Sequence, residues 1–213
     1  AGNKEYMMTL IHQGARLSFY ILLILSLPVI INAHYILTLW LKIVPNHTTL
    51  FVQLVLIFAM SESISNPLMT AMLATGNIRN YQIVVGGLQI MNLPISYILL
   101  RNGCIPETVL IVAICISQCC LVARLYMLRK MIGLSIRKYI SKVYFNVLTV
   151  TILSAIIPYT LSCYFSETFV NFIIICIISV ICTFIVMYFI GSNKEERRFI
   201  LSKITTIKGK LKK

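Results

Sequence analysis

The sequence contains no aspartate, and its six acidic residues are all glutamate. An Asp-rich Mg²⁺ and diphosphate site, or a Ser-His-Asp triad, therefore has no residues to form it within this chain. The three histidines, His12, His34 and His47, are too scattered in the sequence to predict a metal cluster. We expect no metal, no cofactor and no catalytic residues in this chain.

Charge is also scarce. Charged residues make up 12% of the chain, whereas 59% are hydrophobic and the mean hydropathy is +0.89. A soluble domain carries about twice that share of charge, and a chain of this length cannot hide so much apolar surface from water. The seven cysteines form no CxxC pair, so they are predicted to be small apolar fillers rather than a disulfide framework.

Six apolar stretches reach about 20 residues, the length that crosses a bilayer as a helix. They are residues 17–40, 50–73, 81–100, 108–128, 144–165 and 169–190. Backbone groups in lipid must bond within the segment, and the runs do not alternate as barrel strands do. The predicted fold class is an all-α integral membrane protein with one six-span domain, residues 1–193, and a basic tail, residues 194–213.

The basic residues predict an orientation. When the loops are assigned alternately, 17 Lys and Arg fall on one side and only Lys42 and Arg101 on the other. The positive-inside rule then places both termini of this segment in the cytoplasm. The net charge of +13 accordingly faces anionic lipids at the cytoplasmic face, and nucleic acid is not an expected partner. The linker 129–143 and the tail also show helical apolar spacing, which predicts helices lying in the interface.

Glu62 is the one acidic residue near the middle of a predicted span. A charge there costs about 2.5–3.5 kcal/mol on insertion scales, so Glu62 should face the bundle interior or a water-filled cavity. Asn66 follows one helical turn later. Two interpretations stay open: a contact for a proton, cation or polar substrate, or a protonated acid that makes an interhelical hydrogen bond.

Further polar residues at mid-span extend this candidate pathway, although each alone is more often an interhelical hydrogen-bonding residue. They are Asn32, Gln89, Asn92 and Gln118. A proline also lies inside each of four spans, where it removes a backbone hydrogen bond and predicts a kink. These are Pro28, Pro67, Pro94 and Pro158.

Three segments resemble bacterial polysaccharide exporters. They read LPVIINAHYILTLWLKIVP, NPLMTAMLATGNIRNYQIV and MNLPISYILL. Their order and spacing are similar to those in the C-terminal half of O-antigen-type flippases of the multidrug/oligosaccharidyl-lipid/polysaccharide exporter superfamily. The resemblance covers roughly residues 1–142, and the last two spans match only in kind.

The resemblance implies the C-terminal helical bundle of a larger two-bundle transporter in the bacterial cytoplasmic membrane. Its implied substrate is an undecaprenyl-pyrophosphate-linked oligosaccharide moved between leaflets for surface polysaccharide assembly, and its implied partner is a missing N-terminal half. One alternative is a lobe of a drug/cation antiporter of the same superfamily, with Glu62 as the coupling carboxylate. The other is a membrane-embedded sugar or acyl transferase, for which this chain offers no acid/base pair.

Overall fold

The computed structural model describes residues 2–76 and 78–192 together with Arg197. These residues are helical, with no strand among them, which confirms the predicted all-α membrane fold class. The α-helices are α1 (Gly2–Ile31), α2 (Ala33–Leu41), α3 (Thr48–Ala74), α4 (Ile78–Ile90), α5 (Asn92–Arg101), α6 (Thr108–Ile132), α7 (Ile136–Tyr139), α8 (Phe145–Tyr164) and α9 (Phe169–Val186). Two π-helical segments, Ile140–Tyr144 and Met187–Gly191, follow α7 and α9.

Among the described residues, six helical units are long and apolar enough to cross a membrane. They are Lys4–Ile31, Thr48–Ala74, Ile78–Arg101, Thr108–Ile132, Ile136–Tyr164 and Phe169–Gly191. The third unit joins α4 and α5, and the fifth joins α7, a π-helical segment and α8.

Two units begin well before the positions that the sequence predicts, the first and the fifth. The first helix begins at Gly2 rather than Leu17, so Arg16 lies inside it and is buried. The fifth unit begins at Ile136, and it places Tyr139 in the core instead of along an interfacial helix. The basic residues of both stretches predicted cytoplasmic segments outside the spans. A helix can nevertheless continue beyond the hydrocarbon of the membrane where one of its faces still packs against neighbouring helices. The predicted tail helix lies outside the described residues.

Local signals fix the turn between the fourth and fifth units. α6 ends at Gly133, which has φ 77° and donates its backbone N–H to the Arg129 carbonyl at 3.1 Å. This left-handed conformation favours glycine because other residues have a Cβ that is crowded there. The Ser135 side chain then accepts from the Lys138 backbone N–H at 3.4 Å and begins α7. The chain therefore reverses within three residues.

Helical continuity differs among the four proline sites. α1 ends three residues after Pro28, and Asn32 separates it from α2. Met91 separates α4 from α5, three residues before Pro94. Pro67 and Pro158 lie inside the uninterrupted helices α3 and α8. The breaks at Asn32 and Met91 thus lie close to Pro28 and Pro94, as expected where a proline removes a backbone donor.

α1 lies at the centre of the bundle, where it packs against α3, α8 and α9. α3 packs against α6 on its other side, and α6 in turn packs against α4 and α5. Gly14 of α1 approaches α3 so closely that an added Cβ would lie 3.3 Å from the Pro67 ring. Because small residues permit such approach, α1 and α3 pack closely at this point. The site described next lies on the opposite side of α3.

Candidate polar site within the bundle

Glu62 lies on α3 and points toward α6. The Ser117 hydroxyl donates a hydrogen bond to its Oε1 at 2.5 Å. Its Oε2 lies 4.0 Å from Nη1 of Arg124, two turns further along α6. The Glu62 side chain remains 26% exposed, whereas that of Arg124 is 1% exposed. A carboxylate and a guanidinium therefore face each other among apolar helices, where each charge needs the other.

Arg124 is the functional candidate that sequence reasoning missed, because its position near the end of the fourth apolar run led us to count it with the cytoplasmic basic residues. The signal was present in the spacing. Ser117 and Arg124 are seven residues apart, which places them on one face of a helix. Within the described residues, Nε and Nη1 of Arg124 are buried without a hydrogen-bond partner. The ion pair with Glu62 is therefore the main compensation for this buried charge.

A branch of hydrogen bonds extends the site toward the fifth unit. The Ser61 hydroxyl lies 3.3 Å from that of Ser117 and accepts a hydrogen bond from the Gln118 amide. The Tyr144 hydroxyl donates to the Gln118 side-chain oxygen at 2.8 Å. The polar chain thus crosses two helix interfaces, from Arg124 to Tyr144.

A cavity of about 220 Å³ opens beside Glu62. Glu62, Ser117, Gln89 and Asn92 supply its polar wall, and Phe58, Ala113 and Ile116 supply the apolar part. The volume is sufficient for several water molecules, and the four polar side chains can hydrogen-bond them. A hydrated carboxylate beside a buried arginine can exchange a proton, hold a cation or contact a polar solute.

The structure therefore divides the predicted pathway residues. Glu62, Gln89 and Asn92 line one cavity, and Gln118 joins Glu62 through serine hydroxyls. Asn66 is exposed and has no described side-chain contact with this group.

Asn32 lies in a different region. Its amide donates to the Pro28 carbonyl at 2.9 Å, and it lines a separate cavity of about 100 Å³ with Glu167 and Asn171. The side chain therefore bonds locally, to a carbonyl that also accepts from the Asn32 backbone N–H. It does not extend the Glu62 site.

No group of three or more metal-ligating side chains occurs in the part of the chain that the structure describes. Comparison with protein-family models, with curated proteins and with solved structures finds no match.

Proposed function

We propose that this chain forms part of a transporter, a flippase that moves lipid-linked oligosaccharide across the bacterial cytoplasmic membrane. The observation that carries the proposal is the pair of Glu62 and Arg124 beside a polar cavity inside an apolar bundle. Intramembrane charges are costly, and where they persist they commonly mark a substrate or ion pathway. An undecaprenyl-pyrophosphate-linked sugar needs such a shielded polar route while its lipid tail stays in hydrocarbon.

Two features support movement and a larger assembly. The helices break at Asn32, directly after the first unit, and at Met91, inside the third, and breaks of this kind can absorb the backbone change of a hinge. The third unit packs mainly on α6 and leaves Gln89 exposed. A polar side chain exposed at mid-span favours a protein neighbour over lipid. The missing N-terminal half implied by the resemblance is the proposed neighbour.

A second candidate is a drug/cation antiporter lobe. It is favoured by the partial exposure of Glu62, which leaves one carboxylate oxygen near Arg124 and the cavity. In this mechanism the carboxylate alternates between a bound cation or proton and the arginine. Neither proposal assigns an enzymatic activity to the chain.

Deletion of the intact gene tests the class. A flippase deletion accumulates lipid-linked glycan in the inner leaflet, whereas an antiporter deletion raises drug or cation sensitivity without glycan accumulation. Complementation with Glu62→Gln should impair transport, because the amide keeps the shape and the hydrogen bond from Ser117 but cannot exchange protons. The level of folded protein in the membrane is measured in parallel, because the amide also leaves Arg124 without its acid. Thr183→Val in α9, away from the polar site, is the matched control and should transport like wild type. Wild-type transport by Glu62→Gln at every pH would reduce Glu62 to a structural role.

The proposed orientation has both ends of this segment in the cytoplasm. Arg16 and Arg124 lie inside the bundle, so removing them from the seventeen leaves fifteen basic residues against Lys42 and Arg101. The asymmetry still favours the same orientation. Cysteines introduced at Arg79 should react with reagents from the cytoplasm, and those at Glu167 from outside. Cytoplasmic reaction at Glu167 would contradict this orientation.

A further inference from the structure

A second cavity lies at the end of the bundle where α1 begins and α6 ends. Its volume is about 460 Å³. One wall is formed by the first turns of α1, and the other by the turn after α6 and the start of the fifth unit. Three lysines line it, Lys4, Lys138 and Lys142, against a single carboxylate, that of Glu5. The lining is therefore net cationic even before His12 is considered.

His12 supplies an observation that is independent of the lysines. Its Nδ1 lies 2.5 Å from the Met8 carbonyl oxygen, which can only accept, so Nδ1 carries the proton of that bond. Its Nε2 is buried and has no hydrogen-bond partner among the described residues. The ring lies 5.5 Å from that of Tyr139, a fully buried residue, which fixes its orientation. This buried Nε2 belongs to a residue of the cavity lining, so a ligand in the cavity, or a water that the ligand holds, can supply the missing hydrogen bond.

The cavity walls are held in place by the core. Leu134 in the turn is fully buried, and the Ser135 hydroxyl caps the helix that carries Lys138 and Lys142. The two lysines are four residues apart, so they occupy the same face of that helix. Like charges held this close repel one another unless an anion lies between them. The arrangement thus stabilises a multivalent anion more than a single carboxylate.

We propose that this cavity binds a phosphate group, and that the phosphate belongs to the headgroup of a membrane lipid. Phosphate oxygens accept from several separate ammonium groups at once, and lysine is a common phosphate ligand. The cavity also lies where the helices leave the apolar core, at the level of lipid headgroups. The site is separate from the Glu62 cavity, so it does not depend on the proposed transport activity.

Native mass spectrometry of the whole protein in detergent micelles tests this site. The probes are dioleoyl phosphatidic acid, dioleoyl phosphatidylcholine and inorganic pyrophosphate, each titrated separately. Wild type should bind phosphatidic acid in preference to phosphatidylcholine. Lys138→Gln with Lys142→Gln should weaken phosphatidic acid binding by about tenfold or more, since each lysine near a charged surface contributes measurably to binding.

Arg129→Gln with Lys130→Gln is the matched control. These residues lie at the same end of the bundle, in the last turn of α6, but do not line the cavity. The control pair should bind phosphatidic acid like wild type. Equal loss in both pairs would show diffuse surface charge and overturn the proposal, as would equal binding of the two lipids.

The remaining measurements distinguish a lipid phosphate from a free phosphate compound, and a loss of binding from misfolding. Binding of phosphatidic acid but not of pyrophosphate supports the lipid headgroup, whereas pyrophosphate binding of equal strength overturns that assignment. Each variant's thermal unfolding without lipid is measured in parallel. Lys4→Gln, on the opposite wall, provides a second test, and it should also weaken phosphatidic acid binding. Unchanged binding in both Lys4→Gln and the stably folded lysine pair would exclude the site.

Discussion

The α3–α6 contact and the α8–α9 contact use polar side chains in different ways. Between α3 and α6, polar groups reach across the interface, as the hydrogen bond from Ser117 to Glu62 shows. In α8 and α9 two threonines bond to their own backbone instead: Thr151 donates to the Val147 carbonyl and Thr183 to the Ser179 carbonyl, each at 2.8 Å. The first contact is specified by polar pairing, and the second by apolar packing.

The two contacts differ in how strictly they fix the neighbouring helix. A hydroxyl that bonds to its own helix contributes no partner-specific energy and leaves the helix free to meet lipid. A polar network between helices fixes one register and one neighbour, at the cost of desolvating its charged members. α8 and α9 therefore meet mainly through apolar packing, and α3 and α6 form the layer in which we propose that a solute is contacted.

The largest effect should come from breaking the ion pair. Glu62→Leu leaves Arg124 buried without its acid and should lower the free energy of unfolding by about 3 kcal/mol. Glu62→Leu combined with Arg124→Leu should recover most of that loss, because no buried charge remains. Thermal unfolding in detergent micelles measures both, with Thr183→Val in α9 as the control. A Glu62→Leu protein as stable as that control would contradict the proposed role of the pair.

Gly191 tests the close packing on the α9 side of the bundle. It is the last residue of the second π-helical segment, which follows α9 and meets α1. An added Cβ would lie 2.9 Å from the Tyr20 hydroxyl oxygen of α1. Gly191→Ala should therefore destabilise the protein by about 2 kcal/mol, the usual range for overpacking. Tyr20→Phe removes the crowded oxygen and should restore part of the loss.

Gly86→Ala is the matched control for this substitution. Gly86 lies inside α4, and nothing lies within 4 Å of its added Cβ. Alanine there should be neutral or stabilising by up to about 1 kcal/mol, because it restricts the unfolded chain and favours helix. A loss at Gly86 equal to that at Gly191 would show that the glycines matter for a reason other than packing.

A smaller effect is expected at the end of the polar network. Tyr144→Phe removes the hydroxyl that donates to Gln118 at 2.8 Å, and should cost about 1 kcal/mol, typical of an interhelical hydrogen bond in a membrane. Thr151→Val removes a bond within one helix and should cost less. Unfolding midpoints of the two variants provide the measurement. A larger loss for Thr151→Val would reverse the assignment of the two contacts.

The fold class followed from apolar runs and their length, since six stretches of helix-spanning size leave few alternatives in lipid. The ends of the helices did not follow in the same way. Lysine and arginine near a span indicate a loop, yet Arg16 and Arg124 are buried because neighbouring helices cover them. Hydropathy records what each residue prefers, whereas burial depends on which helix packs beside it.

The candidate site was predicted only in part for the same reason. Glu62, Gln89 and Asn92 come together because α3, α4–α5 and α6 meet around one cavity, as their mid-span positions suggested. Asn32 also lies within an apolar stretch of the sequence, but the fold places its side chain against the Pro28 carbonyl in another region. Depth along a span can be estimated from sequence. The direction in which a side chain points requires the packing of the neighbouring helices.

The smallest predicted effect concerns the loops that precede α3, α6 and α9. His47 Nδ1 lies 2.5 Å from Glu107 Oε1, and this pair joins the residues that precede α3 and α6. The loop before α9 is instead held by Asn171, whose neutral amide donates to the Ser166 carbonyl at 2.9 Å. One loop contact is thus ionisable and the other is not.

The pH dependence of stability should therefore differ between these two loops. A hydrogen bond from the backbone N–H of the same residue lowers the pKa of the Glu107 carboxyl from 4.5. Burial has an opposing effect that raises the pKa, and the contact with His47 lowers it further. A lowered folded-state pKa stabilises the protein above the unfolded value, and that stability is lost as pH falls through the folded value. The difference in unfolding midpoint between wild type and Glu107→Gln should be full near neutral pH and vanish in acid. For Asn171→Ala the difference should stay constant across the same pH range, and a constant difference for Glu107→Gln would contradict the ionised pair.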